Sequence, residues 1–176
     1  PAFQAGKLTF ARPSHLASVL NEAGGREALD SLKSLVEAGE LDAGVRGSAI
    51  ASILAVGGPE DLQSFGLDPQ RYTVGGRYDA EAHAGALKQL ISVTGFRDER
   101  PAGNLAAQLT VVIQKNDAEL YAHALNLAGL WGVKELAEAV VSAAENEALP
   151  LPVRSNAFLA LAHLNLPKGI KDLHNY

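Results

Sequence analysis

Apolar residues recur along this chain with helical spacing, in paired segments separated by glycine, proline or capping residues. The first stripe consists of Leu29, Leu32, Leu35 and Val36. This i, i+3, i+6, i+7 spacing places the side chains on one face of an α-helix. Gly39 follows the stripe and Asp42 precedes the next apolar segment, as expected for a helix end and a helix N-cap. The pattern therefore predicts a helical hairpin.

Four segments share one order of small and large apolar residues. They begin at Val45, Ala82, Leu120 and Val153, at intervals of 37, 38 and 33 residues. Each has an alanine four positions after its first residue, and a large apolar residue follows that alanine. The alanines are Ala49, Ala86, Ala124 and Ala157. Because a repeat of this length with two helices per unit is typical of a stacked helical array, we predict that the alanines are buried at close helix contacts.

The predicted fold is all-α, a right-handed α-solenoid of about four helical hairpins. Residues 1–27 are predicted to form an N-terminal extension with a capping helix, 28–166 the repeat array, and 167–176 a C-terminal tail. Segment 66–78 interrupts the array because it combines turn residues and β-branched residues without a helical stripe. We interpret this segment as a projecting loop.

Two of the four segments resemble the second helices of HEAT-repeat proteins, particularly the short bacterial type. The matching residues are Leu41-Asp42-Ala43-Gly44-Val45-Arg46 with Ala49, and Leu149-Pro150-Leu151-Pro152-Val153-Arg154 with Ala157. In that family an acidic residue or proline, then Val-Arg, then alanine opens the second helix. The other two segments depart from the family pattern, since they carry Ala82-His83 and Leu120-Tyr121 in place of Val-Arg.

The resemblance covers roughly residues 28–166 and implies protein interaction or scaffolding, without a catalytic residue to transfer. We interpret the two matching arginines, Arg46 and Arg154, as structural side chains that bridge neighbouring repeats through a carboxylate or helix-end carbonyls. Direct contact with a ligand is the alternative role.

Charge and composition narrow the function further. The net charge of −5 opposes general affinity for a nucleic acid backbone. The chain has no cysteine, which removes disulfides and thiolate chemistry, and no apolar run reaches the roughly 18 residues of a transmembrane segment. We expect a soluble protein of the cytoplasm or periplasm. Because methionine is absent, either an initiator was removed before Pro1 or the chain is part of a longer protein, which we favour.

The histidines and glycine pairs do not form a reactive site in the repeat register. His83, His123 and His163 fall at different positions of their segments, so no shared metal site is predicted. We interpret Gly57-Gly58 and Gly75-Gly76 as turns rather than phosphate loops. No nucleophile stands beside an evident base. The chain is therefore predicted to be noncatalytic, without metal or cofactor.

One patch combines arginine with aromatic residues, the composition of interface hot spots. It consists of Arg71, Tyr72, Arg77, Tyr78, Phe96, Arg97 and Arg100. We predict that this patch binds a partner protein or another subunit of a complex. A loop that packs back on the array, or a single-strand nucleic-acid patch, are the alternatives. Trp131 is interpreted as a packing plug between repeats.

The sequence therefore favours a noncatalytic protein–protein interaction or scaffold module within a larger assembly or longer chain. Two alternatives remain open at this point. One is a HEAT-like array that binds nucleic acid in DNA repair, and the other is a spacer domain of an exported multidomain protein.

Overall fold

A computed structural model of the chain describes residues 25–39, 41–97 and 99–164. The capping helix predicted before residue 25 and the tail predicted over 167–176 lie outside these residues. Tertiary contacts divide the chain into two units, 1–57 and 58–176, and each unit is treated by itself below.

The first unit contains a helical hairpin, as its apolar stripe predicts. Helix α1 spans Arg26–Ala38 and helix α2 spans Ala43–Val56, and the two pack together. Gly39 ends α1 with a φ of 71°, a left-handed conformation that glycine adopts without a Cβ clash. The Asp42 carboxylate accepts a hydrogen bond from the Val45 amide at 2.9 Å and caps α2. Both predicted helix boundaries are confirmed.

The second unit begins with short, irregular elements and continues as five helices. Helix α3 spans Pro59–Leu62 and continues into a π-helical turn over Gln63–Leu67. A 3₁₀ helix over Pro69–Tyr72 and a two-stranded hairpin of β1, Thr73–Val74, and β2, Arg77–Tyr78, follow. The remaining helices are α4, Ala80–Thr94; α5, Leu105–Ile113; α6, Ala118–Leu130; α7, Ala137–Glu145, after a 3₁₀ turn at Lys134–Leu136; and α8, Leu151–His163.

Segment 66–78 is not a projecting loop throughout, which corrects the interpretation from sequence. Its first part packs on α4: Gly66 and Leu67 are buried. A Cβ at Gly66 would lie 2.5 Å from Leu90 Cδ1, so a larger residue here would require the Leu90 side chain to move. Gln70 is exposed between this buried part and the hairpin, and the hairpin that follows is exposed over residues 73–77. Gly75 and Gly76 have φ values of 57° and 77°, as a two-residue hairpin turn of the type I′ kind requires.

The four repeated segments occupy the same position in their helices. Val45, Ala82, Leu120 and Val153 are each the third residue of α2, α4, α6 and α8. The aligned alanines are each the seventh residue, and all four are buried, which confirms that part of the prediction. The first three helices share an aspartate N-cap that accepts from the third residue's amide.

Helices α4, α6 and α8 lie side by side and run parallel. Asn126 of α6 donates to Asn156 of α8 at 2.9 Å. Gly129, which is three residues after Asn126, lies against Ala160, which is four residues after Asn156. A Cβ at Gly129 would lie 2.5 Å from Ala160 Cα. Contacts between α4 and α6 likewise keep one order. Lys115, just before α6, lies over Tyr78, just before α4, and Trp131, after α6, donates to Thr94 at the end of α4.

The described part of the chain is therefore all-α apart from one small hairpin. Within the second unit, helix α6 is the central element, because α4, α5 and α8 all pack on it, and α7 packs on α8. None of the helices described has the length and apolar character that crossing a membrane requires.

Candidate interaction site

The hairpin stands on a buried aromatic base. Tyr72 is 1% exposed, its hydroxyl donates to the Phe65 carbonyl, and its ring stacks on the His83 ring with centroids 4.3 Å apart. The Asp79 amide donates to the Tyr72 carbonyl at 2.7 Å, closing the hairpin. Tyr72, predicted as a partner-binding residue, is therefore part of the core and cannot be presented to a partner.

His83 connects the hairpin to the π-helical turn. Its Nε2 lies 3.0 Å from the Gly66 carbonyl oxygen. Because a carbonyl only accepts, Nε2 carries the proton and donates. The other nitrogen, Nδ1, lies 2.6 Å from the Tyr78 hydroxyl and accepts from it. One neutral imidazole thus holds two separate backbone segments, through Gly66 and through Tyr78.

Burial sets the protonation of this pair. Burial, together with repulsion from the Lys115 ammonium, lowers the pKa of His83 to about 4, although the Gly66 carbonyl and Asp68 favour the charged form. It raises the pKa of Tyr78 to about 12, with further contributions from the carboxylates of Asp117 and Asp79. Both groups are uncharged near neutral pH, as the hydrogen bonds between them require.

Arg71 packs against the outside of this base. Its Nε and Nη2 donate to Ser64 Oγ at 3.2 and 3.0 Å, and its guanidinium carbon lies 4.7 Å from the Phe65 ring centroid. The half-buried guanidinium therefore has local protein partners, and its planar face is used on Phe65.

The hairpin tip is exposed, in contrast to its base. Val74 is 60% exposed, and Gly75, Gly76 and Arg77 are also exposed. An apolar β-branched side chain and a guanidinium thus project beside the two-glycine turn. Among the predicted patch residues at this end of α4, Arg77 is the exposed one, whereas Arg71, Tyr72 and Tyr78 are buried or partly buried.

A second group from the predicted patch lies at the opposite end of α4. Phe96, just beyond this helix, is 89% exposed. Arg97 forms an ion pair with Glu99, and Arg100 donates to the carbonyl of Trp131. The indole of Trp131 is buried and donates to Thr94 Oγ1 at 3.1 Å, which agrees with its interpretation as a packing residue.

The predicted patch therefore divides into two groups rather than forming one surface. Helix α4 has 15 residues, so its ends are about 22 Å apart. The hairpin group lies at its N-terminal end and the Phe96 group at its C-terminal end. Nearness along the chain does not reveal this separation. Fifteen residues are a short interval in the sequence, but as a helix they hold the two groups far apart.

The two arginines that match the HEAT pattern occupy equivalent positions. Arg46 is the fourth residue of α2 and Arg154 the fourth residue of α8, and both are partly buried. The corresponding residue of α4 is His83. At the fourth helical position, where α2 and α8 carry arginine, α4 thus carries the histidine that contacts the hairpin through Tyr78.

His123 is the other histidine of the described residues with a lowered pKa. His123 Nε2 lies 3.6 Å from Glu119 Oε1, and burial lowers the pKa of His123 although Glu119 opposes this shift. Across residues 25–39, 41–97 and 99–164, no three His, Asp or Glu side chains are grouped to hold a metal ion.

Comparison of the chain with protein-family models, with curated proteins and with solved structures returned no match. The site must therefore be interpreted from its own geometry. The hairpin is the strongest candidate, because its base is fixed by hydrogen bonds and stacking while its tip remains exposed.

Proposed function

We propose that the chain is a noncatalytic protein-interaction module built from HEAT-like repeats stacked as a right-handed solenoid, within a larger assembly or a longer chain. The common register of the four second helices supports this architecture. So does the direct packing of α6 on the parallel helix α8, since neighbouring helices of an up-and-down bundle are antiparallel.

The hairpin carries the functional part of the proposal. A repeat does not need an extra segment in order to stack, and insertions map to loops that are often on the binding face. Here Tyr72, Tyr78 and His83 hold the segment rigidly, yet the exposed tip buries little of its own surface. A rigid support under an exposed loop is the usual construction of a binding site.

The chemistry of the tip fits a protein partner. Val74 offers an apolar contact and Arg77 a planar, charged donor, and arginine is one of the residue types enriched in interface hot spots. The nucleic-acid alternative is less well supported. Arg71, Arg97 and Arg100 each already contact Ser64, Glu99 or Trp131, and the net charge of −5 weakens attraction to phosphates.

A photocrosslinking experiment tests this proposal. A photoreactive amino acid placed at Val74 should capture one protein in cells, whereas the same group at Val111 should not. Val111 is a suitable control because it is 45% exposed on α5 and lies outside the hairpin. The captured protein is then purified, and its affinity for the chain is measured by calorimetry.

The double variant Val74→Asp with Arg77→Glu should weaken that affinity at least tenfold, which is about 1.4 kcal/mol, with an unchanged helical circular dichroism spectrum. Equal affinity of the double variant, or equal capture at both positions, would refute the hairpin as the binding site. Phe96→Asp shows whether the group at the far end of α4 belongs to the same interface.

The nucleic-acid alternative has its own measurement. A gel shift with duplex and single-stranded DNA at several salt concentrations should show no tight binding. Binding that is tight at low salt and weakens steeply as salt rises would replace the protein-interaction proposal, because that dependence reflects counterion release from phosphates.

A further inference from the structure

The hairpin residue Tyr78 completes the cover over a buried imidazole. His83 is 0% exposed, although it lies in the first turn of α4 beside the exposed residues Glu81 and Ala82. The Tyr72 ring stacks on the imidazole with an interplanar angle of 8°, and the Tyr78 ring meets it edge-on with centroids 5.9 Å apart. Movement of Tyr78 away from α4 therefore uncovers the Nδ1 edge of His83.

Tyr78 is also the side chain that holds the hairpin on α4. Residues 73–77 are exposed, whereas Tyr78 is partly buried. Its hydroxyl lies 2.6 Å from His83 Nδ1, and the Lys115 ammonium lies 4.8 Å from the centroid of its ring. Segments with few buried contacts open locally at a lower free-energy cost than the helices that they join. We therefore expect the hairpin to open while α4 and α6 stay packed.

Protonation of His83 is opposed while the hairpin is closed. Burial and repulsion from Lys115 lower the pKa of His83 to about 4, against the Gly66 carbonyl and Asp68, which favour the charged form. The charged groups on the elements at this end of α4 are Asp68, Arg71, Arg77, Asp79, Glu81, Lys115, Asp117 and Glu119. A protonated Nδ1 no longer accepts, so the Tyr78 hydroxyl would have to reverse and donate its own proton elsewhere.

We propose that the hairpin is released by acid: it opens locally from α4, the uncovered His83 takes up a proton, and the charged imidazole keeps Tyr78 from returning while the helices remain folded. The released tip no longer presents Val74 and Arg77 in one fixed arrangement. As regulation of a binding site, this inference rests on the proposed function. The hydrogen-exchange experiment that tests it needs no partner, so its failure is distinguishable from a failure of photocrosslinking at Val74.

The amide of Asp79 reports the opening, because it donates to the Tyr72 carbonyl at 2.7 Å and closes the hairpin. Its hydrogen-exchange protection, corrected for the intrinsic effect of pH, should fall about twentyfold between pH 7 and pH 5, since an uncovered imidazole titrates near 6.5 and the covered one near 4. At both pH values it should stay at least about tenfold below the protection of the Leu125 amide in α6. A fall of less than about threefold, or equal protection of Asp79 and Leu125, overturns the proposal.

Two substitutions locate the effect in the hydrogen bond between Tyr78 and His83. His83→Gln keeps a donor and an acceptor but does not titrate, so the protection of the Asp79 amide should be equal at both pH values. Tyr78→Phe leaves His83 in place, and loss of the hydroxyl should lower that protection about 2- to 10-fold at pH 7. The control Arg77→Ala changes an exposed hairpin residue and should leave the protection unchanged. A pH dependence that survives in His83→Gln, or equal effects of Arg77→Ala and Tyr78→Phe, contradicts the proposal.

Discussion

Acid should weaken this fold through His83, and replacing that residue should remove the effect. His83 donates to the Gly66 carbonyl and accepts from the Tyr78 hydroxyl, so protonation would remove the acceptor that Tyr78 uses. His83→Gln is the appropriate change, because an amide can donate and accept in the same two directions but does not titrate. The variant loses the stacking on Tyr72, so only its pH dependence is informative.

The magnitude follows from the two pKa values. The pKa of His83 is about 4 in the fold, against 6.5 for the ordinary group. The unfolded chain therefore binds the proton more readily, and stability falls as pH drops from about 6.5 to about 4. Each pH unit within this window is worth about 1.36 kcal/mol. Between neutral pH and pH 5 the wild type should thus lose about 2 kcal/mol through His83.

Urea unfolding at pH 7.5 and pH 5.0 measures this loss for both proteins. His123, whose pKa is also lowered, contributes equally to both and cancels in the difference. The free energy of unfolding should fall by about 2 kcal/mol more in the wild type than in His83→Gln. An NMR titration should place the His83 pKa near 4. Equal pH dependence in the two proteins, or a titration near 6.5, would refute the buried, neutral imidazole.

Three further substitutions, two of them with a control substitution, test packing and helix capping by chemical unfolding. Gly129→Ala should cost about 1–3 kcal/mol of unfolding free energy, because the new Cβ meets the Ala160 backbone. The control Gly85→Ala adds a Cβ that meets nothing within 4 Å and should stabilise the protein by up to about 1 kcal/mol. Equal effects of the two substitutions would contradict the close contact. Tyr72→Ala should cost about 3–5 kcal/mol of unfolding free energy, and the control Arg77→Ala less than about 0.5 kcal/mol. If Tyr72→Ala leaves the stability unchanged, the placement of Tyr72 in the core is wrong. Asp117→Ala should cost about 1 kcal/mol through loss of the cap on Glu119 and Leu120, and no change would mean that solvent replaces the cap.

Helix positions were predictable from sequence where local chemistry decides them. Asp42 caps a helix where the sequence indicates, and Gly39 ends one. These signals act within a few residues, since a cap binds an amide two or three positions away. The burial of the alanine in each repeat was predictable, because alignment of the four segments places an alanine at the same position in every one. The close approach of Gly129 to Ala160 was missed, because a glycine inside a helix does not indicate which neighbour requires it.

The hairpin shows where prediction from sequence fails. Gly75-Gly76 between Thr73-Val74 and Arg77-Tyr78 is a usable signal for a two-residue hairpin, but it was interpreted only as a turn in a loop. Tyr72 and Tyr78 cannot be assigned to core or surface from spacing alone. Their roles depend on His83 and on the carbonyl of Phe65 or Gly66, contacts that only the tertiary structure brings together.

The departure of α4 from the repeat pattern has a structural explanation. Where α2 and α8 carry Arg46 and Arg154, α4 carries His83. An arginine at position 83 would have to bury a permanent charge beneath Tyr72, and it could not accept the hydrogen bond of Tyr78. A neutral imidazole satisfies both directions and stacks on the tyrosine ring. In this protein a break in the repeat pattern therefore marks the residue that anchors the inserted segment, so Leu120-Tyr121, the other departure, is the next place to look for a local contact that overrides the repeat.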